Sequence, residues 1–280
     1  MHPSSTPLSR SANWLRLFFA PSVDAGTYYD LLGDHVLGGG TLANMGYWRS
    51  ASDLPAAVAA MFELVRSDAG LGPSAFVVDA GCGFGTNAVE CAARGAAREV
   101  LGLNLSTHQL TAARRLAHDA GLSDRVRFQQ ASATSMPLGA RTVDTILSVE
   151  AAFHFASREA FFAEAARVLK PGGRLSLVDI VAPPPTSLID RLLLPYARRG
   201  LQLPSSNVYG LDDYRARVER AGFDVQRFES IRADVFPPFR RWFFKQPLRR
   251  YLEYNAAMML TSAAYFFYRW DYVKLVAVRR

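Results

Sequence analysis

Short apolar runs alternate with amphipathic stretches along the middle of the chain. Short apolar runs of Val, Phe and Ala such as 76–78 are typical of a strand covered on both faces. Serines at 106 and 157 precede two of the amphipathic stretches, as helix N-caps do. The pattern predicts strands at 76–80, 100–104, 126–130, 143–149 and 174–181, and helices at 86–94, 106–120 and 157–169. Because strands and helices alternate, we predict an α/β fold with a doubly wound, mostly parallel sheet.

The two ends of the chain are less regular. A helix is expected after Asp53, with Pro55 in its first turn, and a mobile, partly helical insertion after three prolines at 183–185. The remaining expected elements are a helix at 211–221, a strand at 224–231, an aromatic-rich helical segment at 236–268 and a strand at 271–278. The last two strands are expected to add an antiparallel edge to the sheet.

The composition indicates one folded domain. Half of the 280 residues are hydrophobic and a fifth are charged, which is typical of a globular chain with a sizeable core. Two cysteines are too few for a disulfide framework, so we expect buried thiols in a reducing cytoplasm. No apolar run reaches the roughly 18–20 residues that span a bilayer, and the run Trp14–Ala20 is too short and polar for a signal peptide. Residues 1–25 are expected to be a disordered leader.

The net charge is concentrated at the C-terminal end. Residues 236–280 contain nine basic and two acidic side chains, and this surplus equals the formal net charge of +7. The rest of the chain is neutral overall, without the spread basic face of a duplex-binding protein. We therefore expect no nucleic-acid partner. The segment 236–268 could be a lid over a lipophilic pocket, a contact with an anionic membrane or a carrier domain, or ordinary helical packing.

A glycine loop follows the first predicted strand. Asp79 is followed by Gly81, Gly83 and Gly85, and a helix pattern begins at once. Glycines permit positive φ and leave room for a ligand against the backbone. The string D-x-G-x-G-x-G resembles motif I of the class I S-adenosylmethionine-dependent methyltransferases. The resemblance implies a Rossmann-like seven-stranded domain over 26–280, with an N-terminal arm at 26–75 and lid insertions at 183–210 and 236–268.

The same resemblance assigns cofactor contacts. Asp79 would reach the amino group of S-adenosylmethionine, although it could instead cap its own loop. The string G-L-N-L-S-x-x-Q-L resembles sterol- and polyketide-modifying methyltransferases, in which Asn104 and Gln109 would lie near the cofactor; Asn104 could also be only a turn residue. Ser132 stands where the family usually has an adenine-binding aspartate, so its hydroxyl and the backbone of Ala133 would substitute.

The segment after strand 143–149 resembles the family's E-x-x-x-H-F and would face the methyl-transfer site. His154 has a pKa suited to removing a proton from a hydroxyl near neutral pH, but a histidine between phenylalanines can also be a core residue. Glu150 could act in catalysis, hold the methionine end of the cofactor or orient the histidine.

An aromatic arm precedes the glycine loop. Tyr28 and the run Tyr47-Trp48 are similar to microcystin-type O-methyltransferases, where the arm folds over the cofactor and shapes the substrate cavity. We therefore expect Tyr28 to contact the cofactor, and Tyr47 and Trp48 to contact the substrate. Phe153, in the segment after strand 143–149, and Trp242, in the aromatic segment 236–268, are also expected to contact the substrate. The aromatic arm residues could equally be a staple that holds the arm to the core.

Together these resemblances predict a metal-free, cytoplasmic methyltransferase that modifies a hydroxyl of a lipophilic, polyketide-like metabolite. C-methylation of an isoprenoid, sterol or unsaturated acyl chain through a carbocation is the alternative. A non-catalytic cofactor-binding subunit is a third reading, against which the intact glycine loop argues. Nucleic-acid amino-methylation is disfavoured because no N/D-P-P-Y/F string follows strand 143–149.

Overall fold

Seven strands form one sheet at the centre of the protein. The computed structural model describes residues 25–32, 44–245 and 269–280. The strands are β1 (Phe76–Ala80), β2 (Glu99–Asn104), β3 (Val126–Gln130), β4 (Val143–Val149), β5 (Leu169–Val181), β6 (Phe223–Ser230) and β7 (Asp271–Arg279). Their order is β3-β2-β1-β4-β5-β7-β6. The predicted doubly wound, mostly parallel α/β fold is thus confirmed.

The last two strands form the edge of the sheet beyond β5, and their pairing is antiparallel, as expected. Only β7 runs against the direction of the other strands, and it lies between β5 and the edge strand β6. The edge strand β6 pairs antiparallel with β7 and therefore has the same direction as β5. The sequence pattern could not reveal this order because strand neighbours are chosen by long-range pairing.

The helices begin at the caps that the sequence indicates. Their bounds are α1 (Ala25–Leu32), α2 (Leu54–Ser67), α3 (Thr86–Ala93), α4 (Thr107–Asp119), α5 (Arg158–Val168), α6 (Leu188–Gly200), α7 (Leu211–Arg220) and α8 (Arg232–Phe244). The side chains of Asp53, Ser106 and Ser157 accept hydrogen bonds from the first turns of α2, α4 and α5. Two short 3-10 turns, Ala152–His154 and Ser205–Asn207, complete the described elements.

Two apolar clusters, one containing Val77 and Val100 and the other containing Val78 and Leu101, flank the sheet. Because successive side chains of a strand point to opposite faces, this alternation buries both faces of β1 and β2. The sheet is therefore covered on both sides, and its carboxyl ends are where a ligand can reach it.

Helix α8 accounts for the described part of the segment predicted at 236–268. It begins at Arg232, earlier than expected, and Phe236, Phe239 and Phe243 are buried in the core. These aromatics therefore stabilise the fold. Residues 246–268, including most of the predicted lid, and the expected leader lie outside the described residues.

Four of the nine basic residues in the C-terminal surplus lie on or next to β7 and make internal contacts. Lys274 is buried and paired with Asp68, while Arg269 pairs with Asp190 at 2.8 Å. Arg279 donates to the Leu169 carbonyl and Arg280 to that of Glu219. Much of the charge surplus therefore belongs to sheet packing, which the sequence pattern did not indicate.

Candidate active site

A cavity of about 580 Å³ opens at the carboxyl ends of β1 to β4. A volume of this size is within the range of small-molecule sites, about 300–1,000 Å³. Most of the lining is apolar or backbone, and it comes from the strand ends, helix α1 and helix α6. The lining residues are Ala25, Tyr29, Gly81, Gly83, Leu103, Asn104, Leu105, Gln109, Ala131, Ser132, Ala133, Val149, Glu150, Ala151, His154, Phe155, Ala156, Pro195, Arg198, Arg199, Gln202, Leu203 and Pro204.

The glycine loop needs its glycines for conformation and for space. Gly81, Gly83 and Gly85 have φ of 78°, 53° and 81°, a region that L side chains adopt at a cost. A Cβ at Gly81 would lie 2.4 Å from that of Ala151, and one at Gly85 would lie 2.6 Å from the Phe128 ring. Gly81 and Gly83 line the cavity, whereas Gly85 packs against the interior and is not among the lining residues.

Asp79 is buried beneath this loop and does not line the cavity. Its carboxylate accepts a hydrogen bond from Asn87 at 3.4 Å, and Asn87 accepts one from Arg66 at 3.0 Å. Burial raises the pKa of Asp79 to about 7, against the opposing effects of Asn87 and Arg66. The amide of Gly81 donates to the Leu103 carbonyl, at 2.8 Å. Asp79 therefore does not cap that amide, contrary to the simpler alternative for this residue.

Asn104 and Gln109 share one hydrogen bond at the cavity wall. Asn104 Nδ2 donates to Gln109 Oε1 at 2.7 Å and to the Gly83 carbonyl at 3.3 Å. Asn104 Oδ1 accepts from the amides of Leu105 and Ser106, so its amide group is fully used within the protein. Gln109 Nε2 has no acceptor among the described residues. The free donor at this wall is therefore on Gln109. Asn104 bonds the two amides that follow it, so it also has the role of a turn residue after a strand, which was the alternative interpretation.

Ser132 and Ala133, which the resemblance places near the adenine of the cofactor, both line the cavity. The Ser132 hydroxyl is 2.8 Å from that of Thr134 and accepts from the Thr134 amide at 3.2 Å. Because a hydroxyl has one proton and two lone pairs, Ser132 retains one further hydrogen-bonding position for a ligand.

The N-terminal arm is held against the site by an acid that the sequence analysis missed. Asp30 accepts hydrogen bonds from Ser106 at 2.5 Å, Thr107 at 3.0 Å and the His108 amide at 3.1 Å. These groups form the start of α4, where a helix favours negative charge. Burial raises the pKa of Asp30, but these hydrogen bonds outweigh it and the pKa is lowered.

Tyr29, not Tyr28, is the arm residue at the cavity. Tyr28 is buried, and its hydroxyl donates to the Gly200 carbonyl at 3.5 Å. Tyr28 therefore stabilises the contact between α1 and α6, in agreement with the staple interpretation. Tyr29 lines the cavity with its hydroxyl 2.8 Å from Nε2 of His154. The sequence indicated that the two adjacent tyrosines lie near the site. Which of them faces the cavity depends on the orientation of α1 in the folded protein.

His154 is half-buried in the 3-10 turn after β4, and both ring nitrogens have polar neighbours. Nδ1 lies 3.4 Å from the Gln202 carbonyl, which can only accept, so we assign the proton to Nδ1 and the lone pair to Nε2. Burial lowers the pKa of His154 to about 4, below the near-neutral value expected from the sequence. The imidazole is therefore neutral at pH 7, with a lone pair directed towards the hydroxyl of Tyr29.

Glu150 is buried at the cavity with a left-handed backbone, φ 51°. A non-glycine residue in this region stores strain of the kind that occurs at functional sites. Its Oε2 accepts from the Met45 amide at 2.8 Å and from the Tyr272 hydroxyl at 2.9 Å, and Oε1 has no partner among the described residues. Burial raises the pKa of Glu150 to about 8 despite these hydrogen bonds. The ring nitrogens of His154 are oriented by Tyr29 and Gln202, without a described contact to Glu150.

A buried polar cluster holds the histidine turn in place. Asn207 Nδ2 donates to the Phe153 and Phe155 carbonyls, at 3.2 and 2.7 Å. Asp179 accepts from the Phe153 amide at 2.9 Å and from Arg158 at 2.6 Å. The sequence analysis did not find these residues because they are brought together from α5, β5 and the segment before α7.

The residues expected to contact the substrate are not among those that line the cavity. Trp48 packs near Trp242, with ring centroids 6.2 Å apart, and the Trp48 amide donates to the Asp234 carbonyl. Both tryptophans and Tyr47 pack against the apolar core as partly buried side chains. Phe153 is buried under His154, at 3.8 Å between ring centroids. In the described residues, α6 and the loop after it supply the wall instead.

The cavity fits S-adenosylmethionine. Gly81 and Gly83 line the cavity without side chains, so the loop presents bare backbone to it, and Gln109 Nε2 is a donor without an acceptor among the described residues. Oε1 of Glu150 offers an acceptor on the β4 side. Where the chain is described, no group of three His, Cys, Asp or Glu side chains is placed to hold a metal ion, and no helix is long and apolar enough to cross a membrane.

Several known proteins are similar to this chain in sequence or in fold. Residues 78–177 match the family described as a methyltransferase domain. Methyltransferase GfsG of Streptomyces halstedii is 32% identical over 226 residues, which are 79% of this chain and 80% of that protein. The erythromycin 3''-O-methyltransferase of Saccharopolyspora erythraea is 29% identical over 241 residues, or 83% and 78% of the two chains.

The fold is similar to the crystal structure of geranyl diphosphate C-methyltransferase from Streptomyces coelicolor A3(2), with a TM-score of 0.73 and 18% identity over the whole of both chains. That structure contains S-adenosyl-L-homocysteine, Mg²⁺ and geranyl-S-thiolodiphosphate. Since the sequence similarity covers most of the length of both relatives, the chain belongs to the class I S-adenosylmethionine-dependent methyltransferases, enzymes whose cofactor is S-adenosyl-L-methionine.

Proposed function

We propose that the enzyme methylates a hydroxyl group of a lipophilic natural product, with His154 as the general base. The observation that carries this proposal is the neutral imidazole at the cavity, whose Nε2 is 2.8 Å from the hydroxyl of Tyr29. A lone pair in this position can accept a proton that reaches it through the Tyr29 hydroxyl. The name of the Saccharopolyspora relative, an O-methyltransferase for erythromycin, supports oxygen as the acceptor atom.

The apolar wall supports a lipophilic acceptor. Leu105, Val149, Phe155 and Leu203 line the cavity, and apolar walls with few polar groups are typical of small-molecule sites. Such a wall excludes water and aligns the acceptor. When bound, S-adenosylmethionine supplies a methyl group that its positive sulfur has already activated.

Within this site the chain's own residues move one proton. The Tyr29 hydroxyl lies between the cavity and His154, and burial raises the pKa of this phenol above its ordinary value. Tyr29 therefore stays protonated and can receive the acceptor's proton as it passes its own to Nε2. Nε2 of His154 then holds the proton, and the Gln202 carbonyl accepts a hydrogen bond from the N–H at Nδ1 of the resulting imidazolium.

The test is turnover of His154→Ala and Tyr29→Phe with a panel of hydroxylated lipophilic metabolites. His154→Ala should lower turnover by about 10²–10⁴-fold, as expected for loss of a general base, and leave cofactor affinity in calorimetry nearly unchanged. Tyr29→Phe should also lower turnover, because it interrupts the relay. His118→Ala, at an exposed position on α4, is the matched control and should behave as the unaltered enzyme.

Two results would contradict the assignment. Full activity of His154→Ala would show that the histidine is a core residue and not the base. A product with a new carbon–carbon bond, identified by mass spectrometry and NMR, would favour the alternative C-methylation, in which Glu150 or His154 removes the final proton from a carbocation.

A further inference from the structure

Helix α6 presents an apolar face to solvent. Among the described residues, eight large hydrophobic side chains are exposed, and five of them lie on this helix. The five and their exposed fractions are Leu188 (74%), Ile189 (65%), Leu192 (61%), Leu193 (40%) and Tyr196 (61%). Scattered exposed leucines are ordinary, but a contiguous apolar patch on a protein surface marks an interaction site.

The five side chains share one side of the helix. At 3.6 residues per turn, their positions span an arc of about 140°. The opposite side is fixed to the protein, because Asp190, Leu194 and Ala197 are buried. The helix is 13 residues long, or about 20 Å. The exposed apolar face therefore extends along the helix and is not an accident of one turn.

The charges on α6 are basic. Arg191, Arg198 and Arg199 are its cations, and Asp190 is its single acid. Asp190 is already engaged, since it accepts from Thr186 at 3.0 Å and pairs with Arg269 at 2.8 Å. Arg191 and Arg199 are exposed. An amphipathic helix with exposed leucines and uncompensated arginines has the composition of helices that lie in the interface of an anionic membrane.

We propose that α6 docks the enzyme on the surface of an anionic lipid bilayer. The leucines and Ile189 would enter the boundary between headgroups and acyl chains, and the arginine guanidinium groups would bind lipid phosphates. A second copy of the chain fits this face less well. A symmetric contact through α6 would bring the arginines of both copies together, and the helix has no free acid to pair with them.

The position of α6 connects this surface to the cavity. Pro195, Arg198 and Arg199 of the same helix line the cavity, so docking through the apolar face brings the cavity rim next to lipid. A lipophilic acceptor dissolved in the bilayer would then reach the site without crossing water. This consequence depends on the proposed function, whereas the docking itself does not.

The experiment measures flotation of the full-length enzyme with vesicles. One set of vesicles contains phosphatidylcholine alone, and the other contains phosphatidylcholine and phosphatidylglycerol in equal amounts. The enzyme should float with the anionic vesicles, and added salt should weaken this binding because it screens the arginines. Cofactor calorimetry and far-UV circular dichroism on each variant monitor folding and cofactor binding independently of the vesicles.

Two variants and one control separate the contributions of apolar side chains and of arginines to vesicle binding. Leu192→Glu should weaken vesicle binding by at least about tenfold, the cost of removing one buried leucine. Arg191→Glu should weaken it by about fivefold or more, since a basic residue at a membrane surface contributes about 1 kcal/mol. Leu116→Glu, which changes an exposed leucine on α4, should bind as the unaltered enzyme does.

Three results would overturn the proposal. The first is failure of the unaltered enzyme to bind either kind of vesicle, and the second is equal vesicle binding by Leu192→Glu and Leu116→Glu. The third is a dimer of the unaltered enzyme in light scattering that Leu192→Glu converts to a monomer without any vesicle binding, which would assign the face to a second copy. Loss of methylation with flotation intact would count against the proposed function only.

Discussion

Replacing Glu150 by glutamine should change how stability depends on pH. The carboxyl group is buried, and burial raises its pKa from 4.5 to about 8. The folded protein therefore keeps a proton that the unfolded chain releases above pH 4.5. The stability contributed by this group is complete below about pH 4.5 and is lost as the pH rises towards 8. Glutamine is neutral at every pH and retains an oxygen that can accept from Met45 and Tyr272.

The size of the effect follows from the two pKa values. Each pKa unit corresponds to about 1.4 kcal/mol. The ionisable group at position 150 then lowers the free energy of unfolding by about 1 kcal/mol at pH 5, about 3 kcal/mol at pH 7 and about 5 kcal/mol at pH 9. The free energy of unfolding of Glu150→Gln, compared with the unaltered protein, should therefore rise by about 2–3 kcal/mol between pH 5 and 7.

Urea unfolding at pH 5, 7 and 9, without cofactor, measures this difference. Asp79 also has a pKa raised by burial, but it is present in both proteins and cancels in the comparison. Glu229→Gln, on the exposed edge strand β6, is the control and should give a curve parallel to that of the unaltered protein. A Glu150→Gln difference that stays constant from pH 5 to 9 would refute the reasoning, because it would mean that Glu150 is ionised and stabilised in the folded protein.

Three further substitutions test the arm, the loop and the histidine turn. Gly83→Val should abolish cofactor binding in calorimetry, because it places a side chain in the cradle, while Gly72→Val, where a Cβ meets nothing within 4 Å, should bind normally; equal affinities would contradict this. Asp30→Ala should lower the free energy of unfolding in urea by about 1 kcal/mol through loss of its contacts with the start of α4, and an unchanged value would show that the arm is held by other contacts. Asn207→Ala should reduce turnover and destabilise the fold by about 1–3 kcal/mol, with cofactor affinity retained; unchanged turnover would show that His154 does not need this support.

The sequence predicted the sheet and the glycine loop well because both depend on local patterns. Each of these patterns involves residues close together in the chain: apolar runs of the length of a strand, serines that cap helices, and glycines at alternate positions. The loop Asp79–Gly85 and the strand ends at Asn104 and Glu150 could therefore be placed along the chain, and the parallel arrangement brings such ends to one edge of the sheet.

The arm and the substrate side were decided by packing between distant segments. The sequence suggested Tyr28, Tyr47, Trp48 and Trp242 for the ligand site, but Tyr28 is buried and the other three side chains pack, partly buried, against the apolar core. A sequence pattern marks an aromatic residue without showing which surface will cover it. Tyr29 reaches the cavity because α1 places it there, at hydrogen-bond distance from His154.

Local sequence thus determined the elements of this protein, its family and the glycine loop at the cavity. Only the tertiary structure decided the position of β7 between β5 and β6, the raised pKa of Glu150 and the exposed apolar face of α6. The physical reason is the range of the interactions concerned. Caps, turns and strand patterns act between near neighbours, whereas strand order, desolvation of a carboxyl group and exposure of a helix face depend on residues that are far apart in the chain.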